Sequence, residues 1–571
     1  MNLQLDIQRQ FLPEDLDMSS WEAIKPFYDD LLNREIVNVD EFEKWISDRS
    51  ELTAAETEAH RWLYIKTSVD TTDEDAEQKM KYYYENVNPH IAHYENELNV
   101  KFASNPLKDQ LDKEKYFIYK RNIKNQIEIF SEDNIPIGKK LSMKKNEYES
   151  ITGKMSVVID GKELTLQQAS VLLKRQDREL REKIWLTIWK RRSEDADALD
   201  DLLSELIDLR HQIAKNSGFD NFRDYKFREK ERFDYSKEEC FQFYRSIKEV
   251  ICPIINEFTL ERRDKLDLHQ LRPWDLDVDI SGEPPLKPFE NVNDLIDTSI
   301  ECFNRIDPYF GDCIKKMKSL KRLDLESRIG KAPGGYNMPL PESNIPFIFM
   351  NAAGTHRDLV TMMHEGGHAV HAFMTKPIEL TECKHTPSEV AEVASMAMEL
   401  FSMDHWDLFY KDEKDLKRAK KEQLKGLFSI FPGVAMVDGI QHWMYENPQH
   451  SKEDRRDKWV ALNRNFTSGI VDYSEFEHIR EISWHRVLHI FKVPFYFVEY
   501  AIAQLAAIAL WKQYKEDKNT ALTNYKNALA LGYTKTIPEI YKTAGIKFDF
   551  SEAYVKELAE FVMSEIDKLE D

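Results

Sequence analysis

His364 and His368 stand four residues apart in VTMMHEGGHAVHAF (residues 360–373), with Glu365 directly after the first. On a helix the two imidazoles lie within about 40° of one another and one turn apart, so both can reach one ion. Glu365 falls beside that face, where its carboxylate can take a proton from water at the ion without being a ligand. In a chain with 16 histidines, a chance His-Glu-x-x-His has odds of roughly a few per cent, so the pattern calls for a third ligand. Zinc sites that do chemistry use three protein ligands and keep a position open. The segment SEVAEVASMAMELF offers Glu389, Glu392 and Glu399, with Ser388 as the expected N-cap. Glu392 and Glu399 share a face but are separated by about 10 Å along the axis, so one is expected to ligate and the other to support a ligand. Both sit among Ala391, Val393, Ala394, Met396, Ala397, Met398 and Leu400, and a carboxylate in so apolar a helix needs a partner.

The elements that must position these groups are legible nearby. Thr355 and Asp358 form a capping-box pattern, which predicts a helix from near His356 to the Pro377 region. FIFMNAA reads as a strand feeding that helix, and as a candidate edge to which a peptide backbone could add. Each glycine inside the helix costs about 1 kcal/mol against alanine. Gly366 is expected to admit a closely packed second helix, and Gly367 to leave room for a ligand or substrate. His371 reads as a packing residue or a support for the ligands, and Arg357 as the partner of an acidic residue.

Farther out, Val157–Ile159 before Asp160-Gly161 predicts a hairpin, and Leu199, Leu202, Leu203, Leu206, Leu209 and Ile213 form a helical stripe ending at Gly218. The Pro- and Asp-rich stretch 265–288 reads as a long loop and gives a soft boundary between regions 1–264 and 265–571. The acidic run at residues 70–78 reads as solvated surface.

The chain has 571 residues, 42% hydrophobic and 32% charged, with 80 basic against 102 acidic side chains and a net charge of −22. That balance opposes binding a phosphate backbone, so nucleic acid is not an expected partner. No secretory signal pattern opens the sequence, and YAIAQLAAIALW (residues 500–511) is too short to span a membrane. Five cysteines without a Cys-x-x-Cys pair fit reduced core thiols and a cytoplasmic location.

HEGGHAVH and PSEVAEVASMAMEL together resemble the zinc peptidases that include oligoendopeptidase F and thimet oligopeptidase, with Glu392 in the position of the third ligand. GKELTLQQASVLLKRQDRELREKIW, GFDNFRDYKF, LRPWDLDVD, NAAGTHRDLVTMMHE and HIFKVPFYFVEYA resemble oligoendopeptidase F segments in the same order, across residues 150–560. The resemblance implies a mainly α, two-lobed body with a deep channel and a small sheet beside one Zn2+ per chain. It implies hydrolysis of short peptides by a metalloendopeptidase, with His364, His368 and Glu392 as ligands and Glu365 as base. It also places His489, Tyr496 and Tyr500 at the substrate, where family members use Tyr and His on the oxyanion. His485 competes with His489 for that place. Tyr496 and Tyr500 independently share a helical face after Pro494, an expected first-turn residue. PGGYNM departs from the family's Gly-Ala-aromatic-small loop at Gly335 and Asn337, a departure that bears on substrate preference and not on the zinc chemistry. Two alternatives accompany the endopeptidase. A peptidyl-dipeptidase or carboxypeptidase would need a cation for the terminal carboxylate, and a non-catalytic peptide-binding protein would have no use for Glu365.

Overall fold

A computed structural model describes residues 9–569. The protein is mainly α, with one two-stranded and one three-stranded sheet among its described residues. The hairpin pairs Ser156–Ile159 with Lys162–Thr165. Asp160 and Gly161 turn it with φ of 49° and 77°, the two left-handed residues that a type I′ turn requires. The stripe of leucines is the buried face of helix Ala196–Asn216, and Gly218 follows its end with φ 80°.

The three-stranded sheet corrects one expectation. Phe347–Ala352, which contains FIFMNA, is its middle strand: Leu323–Glu326 pairs with it in parallel on one side and Tyr336–Met338 antiparallel on the other. Phe347, Ile348, Phe349 and Met350 are all buried, so the run is apolar on both faces, as interior strands are and edges are not. The two outer strands are Leu323–Glu326 and Tyr336–Met338, the second from the irregular region.

The largest core is built around the helix Phe497–Glu516, which packs on helix Ser388–Ser402, which in turn packs on helix His356–Met374. A second core joins the hairpin and helix Ala196–Asn216 to Tyr445, Phe491 and Phe495. A third is built from residues between Leu12 and Ile123, and touches the rest through Leu380 and Cys383. The loop 265–288 is tied down by Asp275, whose buried carboxylate accepts from Arg178 and Arg181, each at 2.8 Å. All five cysteines are free. No helix among the described residues is long and apolar enough to cross a membrane.

Candidate active site

The helix His356–Met374 begins at the capping box: Thr355 Oγ1 accepts from the Asp358 N–H at 3.3 Å and Asp358 Oδ2 accepts from the Thr355 N–H at 2.8 Å. Asp358 also accepts from Ala353 N at 2.9 Å, which links the central strand directly to the helix. The two glycines let neighbours approach. A Cβ on Gly366 would overlap the ring of Phe303, on helix Val292–Ile306. A Cβ on Gly367 would lie 2.6 Å from the Ala394 carbonyl oxygen and 2.7 Å from Ser395 Cα. Gly367 therefore admits the backbone of helix Ser388–Ser402 rather than a ligand or substrate, which corrects the expectation made for it. Pro387 occupies the cap position of that helix and Ser388 is its first residue, so Ser388 is not the N-cap.

This close approach brings Glu392 over the histidines. Its Oε2 lies 3.4 Å from His364 Nε2 and 3.7 Å from His368 Nε2. The two imidazoles stand 4.9 Å apart and nearly perpendicular. Ligand atoms around a tetrahedral zinc with bonds of about 2 Å are separated by roughly 3.3 Å, so these three donors fit that ion. Glu399 Oε1 lies 2.7 Å from His364 Nδ1, and Glu399 Oε2 accepts from Gln423 Nε2 at 2.9 Å. A proton held on Nδ1 leaves the Nε2 lone pair facing the other donors. Glu392 also accepts from Ser395 Oγ at 3.2 Å and, on Oε1, from the Tyr496 hydroxyl at 3.2 Å.

Glu365 is buried, and that burial, with the charges of Glu392 and Glu399, pushes its carboxyl up to about 7 against the pull of His364. Its backbone carbonyl accepts from Asn337 Nδ2 at 3.2 Å, which ties it to the edge strand. His371 is buried and its Nε2 has no hydrogen-bond partner among the described residues. Arg357 is exposed and makes no ion pair among the described residues, contrary to the expectation of an acidic partner.

The structure brings His489, Tyr496 and Tyr500 together: the tyrosine rings meet edge to face at 5.0 Å, and His489 stacks on Tyr496 at 6.1 Å. His485 is buried elsewhere, 3.6 Å from Asp200. Pro494 lies ahead of the helix, which starts at Phe497, so it is not a first-turn residue. Between them Phe495 takes φ 63° and its N–H donates to Gln441 Oε1 at 3.0 Å. A non-glycine residue in that region costs on the order of 1–3 kcal/mol, and here the strained turn aims Tyr496 at Glu392.

Two cavities flank the ligands. One, of about 260 Å3, is lined by Asn337, His368, Glu392 and Tyr496 together with Arg61 and Lys384. The other, of about 390 Å3, is lined by Gly335, His364, Glu365, Glu399 and Arg357. The edge strand runs from one to the other. Gln423, Asn337 and Ser395 are members of the site that sequence reasoning missed as such. Ser395 carries a signal, three residues after Glu392 on the same helix; Gln423 carries none, since only packing brings it to Glu399.

The family model described as Peptidase family M3 matches residues 171–560, and that of the Peptidase M3 N-terminal domain matches residues 11–130. An oligoendopeptidase F homolog of Borreliella burgdorferi is 23% identical over 383 residues, covering 65% of this chain and 62% of its own length. Oligopeptidase PepF of Bacillus subtilis is 22% identical over 325 residues, covering 56% of this chain and 47% of its own length. These alignments span less than two thirds of either relative. PZ peptidase A, solved with an inhibitor, matches with a TM-score of 0.89 at 23% identity, over 98% of this chain and 99% of that one. Oligoendopeptidase-F from Enterococcus faecium matches with a TM-score of 0.66 at 15% identity, over 96% of this chain and 97% of that one. A family match across two thirds of the sequence, on a fold shared end to end, means that the chain belongs to peptidase family M3.

Proposed function

We propose that the protein is a zinc metallopeptidase that hydrolyses internal bonds of short peptides. The observation that carries this reading is the convergence of His364, His368 and Glu392 on one point, with Glu365 beside it and Glu399 behind His364. A zinc ion bound there supplies Lewis acidity toward water and the peptide carbonyl. Glu365 takes the proton released when water attacks the carbonyl carbon, holds it in its buried position, and gives it to the leaving nitrogen. Tyr496 and Tyr500, with His489 against them, donate to the carbonyl oxygen as it gains charge; one such donor is worth about 3–4 kcal/mol where measured. The free edge of Tyr336–Met338 takes the substrate backbone as an added strand, which makes recognition tolerant of sequence.

The test is an internally quenched peptide of about ten residues, blocked at both ends, offered to the parent and to Glu365→Gln. The variant is expected to lose roughly 10²–10⁴-fold in turnover while zinc, quantified in both, stays bound. Parent protein that binds zinc and cleaves nothing would sink the endopeptidase reading. A second reading, an exopeptidase, is favoured by one observation: Arg357 lines the Glu365 cavity without an acidic partner and is placed to hold a terminal carboxylate. Cleavage of peptides with free but not amidated C-termini, lost in Arg357→Ala, would select it.

A further inference from the structure

Away from the histidine pair, Cys240 on helix Lys237–Ser246 meets Asp438 and His442 on helix Glu413–Glu446. The thiol, a carboxylate oxygen and an imidazole nitrogen lie within 4.8 Å of one another. All three residues are buried, with exposures of 1%, 0% and 1%. Neither ring nitrogen of His442 has a hydrogen-bond partner among the described residues, and neither does Asp438 Oδ1. His442 Nε2 lies 3.0 Å from Asp438 Oδ2 without hydrogen-bond alignment. That is the relation the histidine nitrogens bear to Glu392: donor atoms aimed at a shared point rather than at each other. Two orphaned nitrogens on one buried ring are costly, and nothing among the surrounding rings of Phe227, Phe241 and Phe495 can satisfy them. Tyr244 donates its hydroxyl to Asp438 and orients the carboxylate.

We propose that Cys240, Asp438 and His442 form a second metal site, for zinc or a similar transition ion. The donor set selects the ion: thiolate and imidazole exclude magnesium and calcium, and one thiolate with one carboxylate balances a divalent charge. Burial pushes the Cys240 thiol up, so loading displaces its proton to solvent as the sulfur–metal bond forms. The spacing Asp438-x-x-x-His442 puts both ligands on one face, as in the active-site helix. The site braces the segment that presents Tyr496, because His442 packs on Phe495 at 5.2 Å and the neighbouring Gln441 holds the Phe495 N–H. It does not depend on the peptidase reading.

Cobalt(II) tests this directly, because the active-site donors include no sulfur. Full-length protein stripped with a chelator and titrated with cobalt is expected to take roughly two equivalents per chain, with a near-ultraviolet thiolate-to-cobalt charge-transfer band. The band is expected to persist, with one equivalent, in His364→Ala/His368→Ala and to vanish in Cys240→Ser. Should Cys240→Ser not fold, the double histidine variant decides alone. A single equivalent without the band in the parent, loss of the band in the double histidine variant, or a band that survives Cys240→Ser, would each overturn the proposal.

Discussion

In the proposed zinc site, Glu399 sets which nitrogen of His364 is free. Held at 2.7 Å on Nδ1 and anchored from behind by Gln423, it keeps the proton on that side and the lone pair on the other. Removing such a partner typically costs 10- to 100-fold in metal affinity. Glu399→Gln is therefore expected to weaken zinc binding by about that factor in a competition titration against a chromophoric chelator, with Gln423→Ala milder. Unchanged affinity in Glu399→Gln would mean that the imidazole is oriented by packing alone. Burial shifts Glu365 in the direction its proposed role requires, since a carboxyl near 7 can both accept and return a proton at neutral pH.

At the scale of elements, the two adjacent glycines have different neighbours and so different expected defects. By helix propensity alone, alanine would stabilise either position by about 1 kcal/mol. Gly367→Ala instead drives a methyl into the Ala394 carbonyl and the Ser395 backbone, atoms that move only if the whole helix moves, and Glu392 rides on that helix. Loss of stability on the order of 1–3 kcal/mol together with weakened zinc binding is expected. Gly366→Ala meets the ring of Phe303, on a helix other than the one that carries Glu392, so thermal stability should fall while zinc affinity holds. Thermal melts with and without zinc separate the two; a Gly367→Ala protein that binds zinc as tightly as the parent would refute the account of Gly367.

At the scale of the molecule, buried carboxylates join segments distant in sequence. Asp200 accepts from Arg455 and Arg456 and lies against His485, and Asp275 joins the loop 265–288 to helix Arg178–Glu194. Burial opposes ionisation of both carboxyls and loses to the hydrogen bonds and charges of those partners, so both sit below the ordinary aspartate value. An unfolded aspartate titrates near 3.9, so the folded form binds fewer protons. The stability these groups contribute is present above about pH 4 and lost as the pH falls through their lowered folded values. Asp275→Asn is expected to lower Tm at pH 7 and to flatten its fall between about pH 5 and 3; a profile parallel to the parent's would show that the linkage lies elsewhere.

Local chemistry determined much of this protein from sequence alone. The capping box at Thr355, the Asp160-Gly161 turn, the leucine stripe ended by Gly218 and the four-residue spacing of His364 and His368 depend on neighbours within a turn or two, so pattern and propensity suffice for them. The convergence of Glu392 on those histidines was expected from a resemblance, and its geometry comes from a helix approach that Gly367 permits. Tertiary structure alone decided what requires distant chain: that FIFMNA is an interior strand and Tyr336–Met338 an edge, that Gly367 faces a helix, and that Gln423 backs Glu399. It also decided that Cys240, Asp438 and His442 meet. Cys240 is about two hundred residues from its partners, and no periodicity within a helix encodes which face of another helix it will find.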